Sequence, residues 1–172
     1  MSERVSFRRP DGAEVQGHLF EAAAGKAAPA LVVIQEWWGV NAQILGVAAR
    51  AAAAGYTALV PDLYRGKSTV EAEEAHHLMS GLNFGDAASQ DIRGAVQHLK
   101  KTCGKVGVTG FCMGGALTIL GLTIVACVII LALGGPPFPY RLGQHTAREI
   151  RLALPLQIEN VTETRNAPER AG

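Results

Sequence analysis

Gly110-Phe111-Cys112-Met113-Gly114-Gly115 follows directly on the apolar run Val106-Gly107-Val108-Thr109. That order reads as a strand, a tight turn and a helix, with a cysteine at the apex. In a G-x-S-x-G turn of this kind the central residue sits on a strained strand-to-helix corner above a parallel sheet. Here a thiol stands where the serine would be. The glycines two residues either side of Cys112 are explained by space, because side chains there would collide with the neighbouring strand or helix. The pattern points to a nucleophile poised for acyl transfer.

The rest of the chain supplies a sheet for such a turn. Val5 to Arg9 and Val15 to Phe20 read as two antiparallel strands around Pro10-Asp11-Gly12. Ala30-Leu31-Val32-Val33-Ile34 and Thr57-Ala58-Leu59-Val60 are continuous apolar runs, suited to strands buried on both faces, and Val106 to Thr109 is read as a third. Ile44 to Ala54 is alanine-rich and stops at Gly55, as a helix would. Val70 to Leu82 has helical composition. Asp86 to Thr102 carries Ile92, Val96 and Leu99 at helical spacing. Short apolar strands alternating with helices predict an α/β fold, a mostly parallel sheet with helices on both faces, in a single domain over 1–172. Sites in such sheets lie at the carboxyl ends of the strands. Glu36, Asp62 and Cys112 all fall just past strand ends.

Composition narrows the function classes. The net charge of +1 gives no reason to expect nucleic acid or an acidic surface as partner. The N-terminus, Met1-Ser2-Glu3-Arg4-Val5, has no apolar segment of a secretory signal. Cys103, Cys112 and Cys127 form neither a disulfide framework nor a C-x-x-C pair. A cytoplasmic protein without metal or other cofactor is the expectation.

Three motifs occur in order at strand ends: Gln35-Glu36-Trp37-Trp38-Gly39-Val40-Asn41, Pro61-Asp62-Leu63-Tyr64, and Gly110-Phe111-Cys112-Met113-Gly114-Gly115-Ala116-Leu117. Together they resemble the dienelactone hydrolase family (carboxymethylenebutenolidase-like), a cysteine branch of the α/β-hydrolase fold, from about Val5 to about Leu117. The resemblance implies hydrolysis of a small ester or lactone through a thioacyl-enzyme. It makes Cys112 the nucleophile and Glu36 the carboxylate that helps to generate the thiolate. The backbone N–H groups of Trp37 and Met113 become the oxyanion hole, where one donor is worth about 3–4 kcal/mol in the transition state. The helix after Cys112 would also favour thiolate through its positive N-terminal end. By contrast, Trp37 and Trp38 as side chains read as pocket wall or packing, and Asp62 as a brace for its loop.

The pattern breaks after Ala116. A thiol hydrolase of this kind needs a histidine base oriented by an acid, both downstream of the nucleophile. No aspartate follows Asp91, and His145 is the only histidine after Cys112. His145 lacks the family's context, and Glu149 and Glu159 are weaker substitutes for the aspartate. His76 and His77 precede the elbow and read as rim or surface residues. Ala72 stands where classical members carry an arginine for the substrate carboxylate. Leu117 to Leu133 is almost wholly apolar. It reads as the helix from Ala116 to Thr123 followed by a buried strand from Val125 to Leu133. A membrane span and a lost reading frame are the alternatives. The C-terminal strands of the fold are therefore expected to be missing, with 118–172 a divergent tail and turnover impaired. The rival readings are an inactive truncated or frame-shifted homologue and a membrane-associated protein through 117–133. The oligomeric state is left open.

Overall fold

In the computed structural model, which describes residues 2–132 with side chains to residue 122, the chain starts as a β-hairpin. Strands β1 (Glu3–Arg8) and β2 (Glu14–Phe20) pair antiparallel across the Pro10-Asp11-Gly12 turn. After a short loop come β3 (Ala30–Ile34), α1 (Ala42–Ala53) and β4 (Thr57–Pro61). The Asn41 side chain caps α1 by accepting from the Ile44 N–H at 3.1 Å. Helix α2 (Ala72–Gly81) follows. Then α3 (Phe84–Asp86) runs straight into six residues wound as a π-helix (Ala87–Ile92) and on into α4 (Arg93–Lys100). Strand β5 (Val106–Gly110) leads to α5 (Met113–Ala132).

The sheet order is β1-β2-β4-β3-β5. β2 meets β4 antiparallel, whereas β4 and β5 flank β3 in parallel. The sheet is thus mixed, with its parallel part formed by the three apolar runs. The core shows why those runs are apolar throughout. Successive side chains of a strand point to opposite faces. Val32, Ile34 and Leu59 enter one cluster with Phe7, Ile92, Leu99 and Leu117, while Val33, Ala58 and Val60 enter another with Phe20, Ile44 and Ala48. The first cluster lies under α4 and the start of α5, the second under α1. Each residue of β4 is buried.

Two expectations need correction. β5 is not buried like its neighbours: it is half-exposed, with Gly107 open to solvent, because among the described residues it pairs only with β3. No strand starts at Val125 either, since α5 continues to Ala132. A run of apolar residues lacks the period that would tell a buried strand from a buried helix, and here the helix begun at the elbow simply propagates. Among the described residues no helix is long and apolar enough to cross a membrane. The 117–133 run extends past the described side chains.

An ionic cluster ties the hairpin to the helical layer. The Arg9 guanidinium contacts Asp11 at 2.6 Å, Asp86 at 2.9 Å and Asp91 at 3.5 Å, and Arg65 reaches Asp91 at 2.8 Å. The Asp91 side chain, carried on the π-helix, is only 2% exposed. Burial pushes its carboxyl up from its ordinary value, and the guanidiniums of Arg65 and Arg9 oppose that shift without cancelling it.

Candidate active site

The carboxyl ends of β3, β4 and β5 bring three loops to one edge of the sheet. The first is Gln35 to Val40, the second Asp62 to Ser68, and the third the corner Phe111-Cys112. Cys112 has φ 52, a left-handed conformation that L-residues seldom adopt, and its side chain is exposed as a free thiol. The corner closes tightly because both flanking positions are glycine. A Cβ on Gly110 would collide with the backbone of Gly114. A Cβ on Gly114 would lie 2.7 Å from the Ile34 carbonyl oxygen and 2.8 Å from that of Gln35. The start of α5 therefore rests on the end of β3, which sets the nucleophile corner beside the segment that carries Glu36.

Backbone donors are left over at this junction. The Gly114 N–H donates to Phe111 at 2.9 Å, and those of Gly115 and Ala116 donate to Cys112 at 3.0 and 3.2 Å. Among the described residues the N–H of Met113 has no backbone acceptor, as expected for the first residue of a helix. The same holds for Trp37, which lies inside a turn closed by the Gly39 N–H on the Glu36 carbonyl at 3.3 Å. Gly39 bridges to Ser68, and the Thr69 N–H donates to the Trp38 carbonyl at 3.0 Å, so the second loop holds the first.

The side chains divide into those aimed outward and those that brace. Glu36 is partly exposed, and among the described residues neither its carboxylate nor the Cys112 Sγ forms a hydrogen bond. Trp37 and Trp38 stack edge to face with ring centroids 4.9 Å apart, and Trp37 packs against the core. Asp62 braces its loop, accepting from the Tyr64 N–H at 3.2 Å and the Gly66 N–H at 2.6 Å. Gln35 is fully buried; its Oε1 accepts from the Leu63 N–H at 3.1 Å, and its Nε2 has no partner among the described residues. The Tyr64 hydroxyl donates to Met113 Sδ at 3.2 Å. Sequence reasoning noticed the Asp62-Leu63-Tyr64 segment but gave Gln35 and Tyr64 no task. Their partners are 28 and 49 residues away, beyond any local spacing rule.

His76 and His77 lie exposed on α2, and Ala72 is its exposed first residue. His145, Glu149 and Glu159 lie outside the described residues.

The model of the dienelactone hydrolase family matches residues 15–132. The chain belongs to that family. It is 34% identical over 128 residues to the protein usf of Aquifex pyrophilus, covering 69% of this chain and 54% of the relative. It is 32% identical over 132 residues to the carboxymethylenebutenolidase of Pseudomonas putida, covering 70% and 55%. Among solved structures, the dienelactone hydrolase-like promiscuous phosphotriesterase P91 from metagenomic libraries superposes with a TM-score of 0.57 at 25% identity, covering 70% of this chain and 53% of that one. A Klebsiella pneumoniae protein described as a putative dienelactone hydrolase gives 0.60 at 22% identity, with coverage of 70% and 54%, and shares the α/β-hydrolase fold. This chain spans about half the length of the curated relatives it matches.

Proposed function

We propose that the chain is a cysteine hydrolase of small esters or lactones that acylates readily and deacylates poorly. The observation that carries this reading is the corner itself: an exposed thiol at φ 52, followed by Met113, whose N–H is unpartnered among the described residues, as is that of Trp37 on the loop after β3. In the proposed reaction Glu36 takes the thiol proton and the Cys112 sulfur attacks the carbonyl carbon. The carbonyl electron pair moves onto oxygen, where the two N–H groups hold the developing charge. Collapse forms a thioester and expels the alcohol oxygen, which recovers the proton from Glu36. A lactone opens in the same step without losing its leaving group. Thiolate, rather than thiol, is the competent nucleophile.

Hydrolysis of the thioester needs an activated water. Within these 172 residues His145 is the sole histidine after the nucleophile, and no aspartate accompanies it. Loss of a triad member costs several orders of magnitude in turnover. The free Cys103 and Cys112 thiols fit a reducing, cytoplasmic setting. Mixing the protein with p-nitrophenyl acetate tests the reading. The expected trace is a burst stoichiometric with protein, lost in Cys112→Ser, followed by a negligible steady state. Sustained turnover would contradict the deacylation defect. The rival reading is a non-catalytic homologue: β5 is half-exposed and Phe111, Ile119 and Leu122 are exposed, and its expected result is no burst at all.

A further inference from the structure

We propose that Tyr64 is a positioning residue for the nucleophile corner: through its hydroxyl on Met113 Sδ it fixes the residue whose N–H faces the developing oxyanion. This deepens the reading of Cys112 as an acyl acceptor and rests on it. The contact joins two parts of the fold that are otherwise independently built. On one side, the loop carrying Tyr64 is anchored without any help from the corner. The Leu63 N–H is held by Gln35 at 3.1 Å, and the Tyr64 and Gly66 N–H groups by Asp62 at 3.2 and 2.6 Å. Arg65 next to it sits at φ 57, and its guanidinium donates to the Asp62 carbonyl and to the buried Asp91, both at 2.8 Å. Tyr64 is thus a fixed post, itself buried.

On the other side, the start of α5 is seated by backbone contact and by apolar packing, including that of the buried Leu117, neither of which gives Met113 a directional contact. The helix rests through a glycine, Gly114, on the end of β3, and a glycine offers no side chain to key into a neighbour. Met113 is the first side chain after the nucleophile that enters the core, and it is a thioether, which has soft rotamers and fills space without specifying one position. A hydroxyl on its sulfur supplies the direction that packing alone does not. The hydroxyl keeps its proton under ordinary conditions, because burial first and then the neighbouring Cys112 push the phenol up to about 12. It therefore acts as a donor and not as a base. Gln35 completes the arrangement: one side chain away from Glu36, it holds the same loop that holds Met113, so a single anchored segment sets the carboxylate loop and the corner against each other.

Tyr64→Phe and Met113→Leu remove the contact from either side while keeping the buried volume, and the double variant closes the cycle. Hydrogen exchange reads the corner without reference to any reaction. We expect exchange at the N–H groups of residues 114–116 to rise about fivefold in Tyr64→Phe, the worth of one ordinary hydrogen bond, with β3 and β4 unchanged. The burst rate with p-nitrophenyl acetate should fall by a similar factor in each single variant and no further in the double. Alkylation of Cys112 by iodoacetamide, which forms no oxyanion, should stay within twofold. Unchanged exchange in Tyr64→Phe, or fully additive losses in the double variant, overturns the proposal. A wild-type protein without a burst overturns the reading of Cys112 as an acyl acceptor, and the exchange result then still decides whether Tyr64 holds the corner.

Discussion

Gly114→Ala puts the packing of the corner to a direct test. A methyl group there would sit 2.7 Å from the Ile34 carbonyl oxygen at the end of β3 and 2.8 Å from that of Gln35, with the Ile34 carbonyl carbon at 3.1 Å. Ordinary carbon–oxygen contact requires the helix to lift off the strand by about 0.5 Å. Neither neighbour is the end of a flexible side chain that could turn aside; both are backbone at the carboxyl end of β3. Overpacking of this kind costs about 1–3 kcal/mol. The gain in helix propensity of alanine over glycine, about 1 kcal/mol, offsets part of it. We therefore expect a net loss of up to about 2 kcal/mol in urea unfolding. The effect on chemistry should be of similar size, because lifting α5 would move the Met113 N–H away from the proposed oxyanion position. Misplacement of a reacting geometry by about 1 Å costs about 100-fold, so half that distance should slow the burst by about 10-fold. Gly121→Ala is the control, on the same helix, with nothing among the described residues within 4 Å of the new methyl. It should be neutral or stabilising by up to about 1 kcal/mol and leave the burst intact. If Gly114→Ala matches Gly121→Ala in both stability and burst rate, the corner is not seated on β3 as described.

Other consequences can be checked with the same assays. Among the described residues, Arg65→Met leaves the buried Asp91 carboxylate with the 3.5 Å contact to Arg9 as its one ion pair, and should lower stability to urea by about 2 kcal/mol. That figure is below the usual loss for a broken buried pair because the Arg65 side chain is 46% exposed. Asp91→Asn, which keeps a hydrogen-bond acceptor and removes a carboxylate that burial disfavours, should cost less than Arg65→Met. Acid sensitivity should trace in part to His98, whose ring lies 5.8 Å from that of Phe7, and to His18, both held below the ordinary imidazole value of 6.5 chiefly by burial. A lowered histidine contributes stability that is present above 6.5 and is lost as pH falls through its folded value. Unfolding at pH 7 and pH 5 should accordingly show a smaller acid loss in His98→Gln than in the parent protein.

The parallel strands and the corner were legible in the sequence for one physical reason: each is forced by sterics or burial over a few consecutive residues. Val32 and Val33 face opposite layers, so both must be apolar, and the run announces itself. Gly110 and Gly114 are fixed by backbone contact, so the glycines do too. Asp62 was readable as a loop brace because its acceptors serve N–H groups only two and four residues on. Where the outcome depends on distant partners, the sequence was mute. Nothing local separates β5 from the fully buried strands; its exposure follows from its neighbours in the sheet. The π-helix inside the expected Asp86–Thr102 helix leaves its hydrophobic spacing nearly intact. The strand expected from Val125 failed because uninterrupted apolarity carries no period. Tyr64 and Gln35 were missed because their hydrogen bonds span the fold.

The central claim is that Cys112 accepts an acyl group and keeps it. Intact-protein and peptide mass spectrometry, seconds to minutes after mixing with p-nitrophenyl acetate, reads this directly. The account predicts one acetyl group per chain on the peptide that contains Cys112, long-lived and released by hydroxylamine, with Cys103 unmodified. An unmodified Cys112 peptide while product accumulates, or acetyl groups spread over lysines in equal measure in Cys112→Ser, would contradict it.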